Sequence, residues 1–150
     1  MTYYYFAYGS NMDPDRMNLR KAYFSNRMFA KLDNYRLVFN KTSIANPGEG
    51  FANIIPDDGS EVEGALYRLK WESIERLDYF EGYPDGYRRE EIWVTSSDGK
   101  KHKAITYIAN DNQTKDGLKP SREYLSHLLR GKDLLSEEYY SKLEKVETFD

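Results

Sequence analysis

Residues 2–8 run Thr-Tyr-Tyr-Tyr-Phe-Ala-Tyr, β-branched or aromatic apart from Ala7, and predict a first strand. The pattern breaks at Gly9-Ser10-Asn11, residue types that tolerate tight turns. Asp13-Pro14 then has the form of an N-cap with proline at the first helical position, opening a short helix to about Arg20. Strands are predicted over about 23–32 and 35–40, joined near Asp33-Asn34, and over 51–55 and 61–69, joined by Pro56-Asp57-Asp58-Gly59. Trp71, Ile74 and Leu77 recur at helical spacing with Phe80 one step further on, so 71–81 reads as an amphipathic helix, and Gly82 stands where a left-handed cap belongs. Strands over about 87–95 and 103–109 flank Ser97-Asp98-Gly99, and helices over about 121–130 and 136–146 close the chain. About seven short strands and four helices, unevenly mixed, predict an α+β fold: a small mixed sheet, curled or closed like a barrel, flanked by the helices. No repeat or linker divides residues 1–150, so one domain is expected.

Composition sharpens this picture. Of the 23 aromatic residues 14 are tyrosine, a side chain with an apolar body and a hydroxyl that seeks a partner, which suits β-structure around a partly wet cavity. The formal net charge of −3 argues against nucleic acid as a partner, because neutralising phosphates takes clustered Lys and Arg. The densest basic run, Lys100-Lys101-His102-Lys103, sits beside Asp98-Gly99 and reads as a solvated hairpin tip. The chain has no cysteine, which excludes disulfides, thiolate nucleophiles and Cys-ligated zinc. The N-terminus lacks the charged region of a signal peptide, and no apolar run approaches about 20 residues. A cytoplasmic protein that binds no membrane is the expectation.

Familiar catalytic motifs are absent: no phosphate-binding GxxxxGK[ST] or GxGxxG, no HExxH and no GxSxG. His102 and His127 are the only histidines, too little material for a hydrolase triad or a histidine-rich metal site. Two features remain. In Tyr8-Gly9-Ser10-Asn11-Met12, between a strand and a helix, glycine allows a sharp turn whose N–H groups can converge on an anion, aided by the helix dipole. An ordinary turn with Ser10 and Asn11 merely capping fits equally well. In Leu77–Arg89, Glu81 ends a helix, where the dipole repels negative charge and, with burial, lifts a carboxyl towards the range useful for proton transfer. A solvated Glu81 paired with Arg88 or Arg89 is the alternative, and Asp78, one turn earlier, reads as solvated.

Taken together, Tyr8-Gly9-Ser10-Asn11, the Leu77-Asp78-x-x-Glu81-Gly82-x-x-x-x-Tyr87-x-Arg89 segment, Gly50-Phe51-Ala52-Asn53-Ile54 and Pro120-Ser121-Arg122-Glu123-Tyr124 resemble the γ-glutamylcyclotransferases, over essentially residues 3–147. The resemblance implies a cofactor-free and metal-free reaction in which a γ-glutamyl compound loses its amine as its own α-amine attacks the γ-carbonyl, leaving 5-oxoproline. It places Tyr5, Phe6, Ala7, Tyr8, Gly9, Ser10 and Asn11 on the substrate-binding strand and loop, Glu81 at the acid/base, and Tyr124 facing the pocket. It also suggests a homodimer. Met12 stands where the family more often has leucine, a volume-conserving change. Relatives reading Tyr-Gly-Thr-Leu act on γ-glutamylamines, so an enzyme of the same fold acting on a γ-glutamylamine or another acylated small molecule is the rival reading, with a non-catalytic binding module behind it. The polar segment 110–120 is longer than a connection needs and reads either as a lid over the leaving amine or as a solvated loop.

Overall fold

A computed structural model describes residues Met1–Asp150. Five strands close into a barrel: β1 (Thr2–Ala7), β2 (Phe24–Thr42), β3 (Gly50–Lys70), β4 (Tyr87–Ser96) and β5 (Lys101–Ala109), in the order β1-β3-β2-β4-β5. Neighbours are antiparallel except where β5 meets β1 in parallel at Tyr5↔Ile105. Four helices accompany them: α1 (Pro14–Leu19), α2 (Trp71–Glu81), α3 (Arg122–Leu129) and α4 (Glu137–Glu144). The expected class holds, but the seven strands are five. Asp33 pairs with Glu61 and Tyr35 with Pro56, so residues 57–60 swell out as a bulge within a continuous hairpin instead of ending two strands. Asn34 (φ 66°) and Gly59 (φ 86°) take the left-handed conformations, and the Gly59 N–H donates to Asn34 Oδ1 at 3.1 Å. Such a bulge bends the long ribbon so that it can close.

The two-residue period of the strands sorts their side chains into two cores. Phe6, Tyr8, Leu32, Ile54, Val62 and Leu66 belong to the cluster that fills the barrel. Tyr5, Ala7, Tyr67 and Leu69 alternate with them and meet Met12, Met17, Ile74, Leu77, Leu125 and Leu128 from the covering elements. Within α2 only Ile74 and Leu77 of the apolar stripe are fully buried; Trp71 and Phe80 stay 37% and 40% exposed. Cations cover their rings instead: Arg89 lies 5.1 Å from the Trp71 centroid and Arg20 4.9 Å from that of Phe80. The helix ends as its sequence predicts, with Gly82 left-handed at φ 65°. No helix is long and apolar enough to cross a membrane.

Candidate active site

The β1 strand delivers its last residues to the mouth of the barrel. There the chain turns through a single 3-10 turn, Ser10–Met12, closed by the Met12 N–H on the Gly9 carbonyl at 3.0 Å. Gly9 has φ −111°, so the positive φ that glycine suggests is not the reason for it. Space is: a Cβ there would lie 3.1 Å from Ala52 Cβ and 3.3 Å from the Tyr124 hydroxyl. The Gly9 N–H donates to no group of the protein.

Opposite this turn, the end of α2 brings Glu81 in, its side chain 18% exposed. Glu81 Oε1 accepts from Asn11 Nδ2 at 3.2 Å. Asn11 itself is fixed at both ends: Nδ2 also donates to the Tyr5 hydroxyl at 3.0 Å, and Oδ1 accepts from Arg20 Nη1 at 3.0 Å. Arg20 stands 3.8 Å from Glu81 Oε1. Burial raises the Glu81 carboxyl above its ordinary range, while Arg20, Arg16, Lys41 and the Asn11 hydrogen bond pull it partly back. The pairings with Arg88 or Arg89 do not form. Arg88 binds Glu90 at 2.8 Å, and Arg89 binds Asp78 at 3.4 Å. Asp78, expected in solvent, is instead half-buried against the Tyr107 hydroxyl, which donates to it at 2.6 Å.

Two joined hollows meet at Glu81. The inner one, about 30 Å³, lies among Tyr5, Tyr8, Tyr87, Tyr107 and Tyr124, with Gly9, Ser10 and Asn11 on one side and Ala52 on the other. Its tyrosines hold the backbone: the Tyr87 hydroxyl donates to the Ala52 carbonyl at 2.7 Å, the Tyr124 hydroxyl accepts from the Ala52 N–H at 3.1 Å, and the Tyr8 hydroxyl donates to the Tyr107 carbonyl. Burial, reinforced by the Glu81 charge, lifts Tyr5 and Tyr8 well above the usual phenol range, and burial lifts Tyr124 to about 12. These phenols stay neutral at physiological pH, leaving Glu81 as the group of the inner hollow able to exchange a proton there. The outer basin, about 460 Å³, adds Arg16, Arg20 and Lys41 to an apolar rim of Ile44, Phe51 and Phe80.

The structure thus brings Tyr5, Tyr8, Gly9, Ser10, Asn11, Glu81 and Tyr124 together around one cavity. Phe6 and Ala7 are not among its walls. Alternation along β1 sends Phe6 into the barrel and Ala7 under the helices, both fully buried. Sequence reasoning gave no site role to Ala52, Tyr87, Tyr107 or the three cations, although Ala52 and Tyr87 stand within the segments that carry the resemblance. Arg16 and Arg20 are one helical turn apart, a like-charged pair at a spacing that costs helix stability, and that was the legible sign. Lys41 gave none.

A closed small barrel with a carboxyl facing a glycine turn at its mouth defines an α+β protein with a pocket of small-molecule size at the barrel mouth. The chain belongs to the "Gamma-glutamyl cyclotransferase, AIG2-like" family, whose model matches residues 5–126. It is 32% identical to the gamma-glutamylcyclotransferase of Mus musculus over 97% of this chain and 79% of that protein. To the Homo sapiens protein of the same name it is 30% identical, over 99% and 81%. A solved gamma-glutamyl cyclotransferase structure superimposes with a TM-score of 0.89 at 29% identity, covering 100% of this chain and 90% of that one.

Proposed function

We propose that this protein converts a γ-glutamyl amino acid or amide to 5-oxoproline and a free amine, with Glu81 as general acid/base. The observation that carries the reading is a carboxyl lifted by burial, oriented by Asn11 at 3.2 Å, and facing the Gly9 turn across a narrow hollow. The substrate brings its own nucleophile, so neither an enzymic nucleophile nor a cofactor is needed. The protein must fold the γ-glutamyl group until its α-amine meets the γ-carbonyl, an intramolecular geometry that removes much of the entropic barrier. The α-nitrogen gives a proton to Glu81 and bonds to the carbonyl carbon. The bond from that carbon to the leaving nitrogen then breaks as Glu81 returns the proton to it. The unpartnered Gly9 N–H is a donor for a carboxylate or for the developing oxyanion.

The names of the relatives support this reaction class, and the test is direct. Glu81→Gln keeps size and can still accept from Asn11, but cannot carry the proton. Release of 5-oxoproline from γ-glutamyl compounds should fall by about 10²–10⁴ in kcat, in a protein that melts no lower than the wild type at neutral pH. Wild-type turnover in folded Glu81→Gln would remove Glu81 from the chemistry.

A further inference from the structure

The like-charged pair at the C-terminal end of α1, Arg16 in its last turn and Arg20 just past it, is the feature that the chemistry at Glu81 leaves unexplained. Arg16 and Arg20 both reach the outer basin, joined there by Lys41 from β2. Against these three cations the basin sets two carboxylates, Glu81 and Asp85, so one positive charge is uncompensated. Arg20 is committed to Asn11 and to the Phe80 ring. Lys41 donates to the Thr42 carbonyl at 3.0 Å. Arg16 is different. Its contact inside the protein is one: Nη1, 3.3 Å from His127 Nε2 on α3. Its Nε is buried with no partner.

An arginine only donates, so His127 Nε2 is the acceptor in that contact and its Nδ1–H donates to Asp13 Oδ2, at 2.8 Å. Asp13, 4% exposed, is fixed in turn because its other oxygen caps α1 by accepting from the Asp15 N–H at 3.0 Å. Asp13, His127 and Arg16 therefore form a chain from a helix cap to the basin, leaving the remaining guanidinium donors uncommitted. Burial and then Arg20 lower the tendency of Arg16 to stay charged. Beyond its pull on the Glu81 carboxyl, a cation held beside a second cation with an unpartnered N–H gains little until an anion arrives.

We infer that Arg16, positioned by His127 and Asp13, is a specificity residue that binds a carboxylate carried by the leaving amine, so that the outer basin selects γ-glutamyl compounds whose departing group is anionic over those whose departing group is neutral. The inference rests on the proposed reaction for its substrates, and its test is a binding measurement that does not need turnover. γ-Glutamylalanine and γ-glutamylethylamine share the glutamyl part and differ by the carboxylate on the departing amine. Calorimetric titration of each into the Glu81→Gln protein gives the reference affinities.

Adding Arg16→Gln should weaken γ-glutamylalanine about tenfold, the scale of a lost charged hydrogen bond, and leave γ-glutamylethylamine within about twofold. Adding His127→Leu should produce the same selective loss, whereas His127→Gln, whose amide can accept from Arg16 and donate to Asp13, should restore it. A merely structural histidine would weaken both compounds alike. Arg16→Lys, which keeps the charge but not the planar fork, should fall between, and it serves if Arg16→Gln does not fold. Equal weakening of both compounds would place Arg16 on the glutamyl part, and no weakening of either would detach it from binding; each result overturns the inference. Absence of 5-oxoproline from both compounds with the wild-type protein, in contrast, would overturn the reaction while the binding comparison stands.

Discussion

At the scale of the residue, the site is a balance around one carboxyl. Burial raises Glu81 and three cations with Asn11 restrain it, so the carboxyl that the proposed reaction uses as its proton acceptor loses its charge at a pH above the ordinary carboxylate range. The acidic limb of kcat/KM should therefore lie above that range. Arg20→Gln removes the largest restraining charge and should move the limb further towards neutrality, by up to about one pH unit; an unmoved limb would assign it to another group. The sign for stability is opposite to that of a paired carboxylate. A carboxyl lifted in the folded state costs stability as pH rises from the unfolded value through the folded one, which is why Glu81→Gln should not lower the melting temperature at neutral pH. Gly9 is the other exacting residue. Gly9→Val would drive branched carbons into Ala52 and the Tyr124 hydroxyl, and should abolish substrate binding, or cost about 1–3 kcal/mol of stability as overpacking does, by titration and urea melts. Normal affinity and stability together would show that the turn has slack.

At the scale of the element, the polar segment 110–120 shows how a length argument succeeds and fails. It is tied down: the Lys115 N–H bonds Asn40, the Gly50 N–H bonds Lys119, and the Lys119 N–H bonds Gly48. The part bordering the outer basin is Gln113, in the short turn Asp111–Gln113, while Asp116 and Gly117 are exposed away from it. Shortening the loop at 116–117, the obvious cut from sequence, should leave the ranking of leaving amines unchanged. Gln113→Ala should alter it, by about two- to fivefold, as loss of one neutral hydrogen bond would, in competition assays with mixed γ-glutamyl compounds. The α2 helix was legible through its period and its Gly82 cap. Its partner elements were not, so the period alone does not tell that Ile74 and Leu77 are buried while arginine side chains cover Trp71 and Phe80.

At the scale of the whole molecule, the pocket exists because barrel and helices are fastened to each other across it. Tyr124 is the fastener. It comes from α3, packs its ring tilted against Phe51 with centroids 5.1 Å apart, and its hydroxyl accepts the N–H of Ala52, whose carbonyl is held by Tyr87. Tyr124→Phe leaves a buried N–H without a partner, an omission that costs about 1–3 kcal/mol, and should lower stability in urea unfolding together with turnover of every γ-glutamyl substrate. Unchanged unfolding would mean that the Ala52 peptide finds another acceptor.

Local chemistry written into the chain determined the strand–turn–helix start, the capped helices, the hairpin at Asp98-Gly99 and Glu81 at a helix end, because each depends on residues within a turn or two of one another. The count of strands did not follow from it: Pro56-Asp57-Asp58-Gly59 carries the same turn signal whether a hairpin ends there or bulges and continues, and only pairing with Asp33 and Tyr35 decides. Nor did the true neighbours of Glu81. Asn11, Arg20 and Arg16 lie some 60 to 70 positions away in sequence, and closure of the barrel under α1 and α2, which no local pattern encodes, is what sets them around one carboxyl.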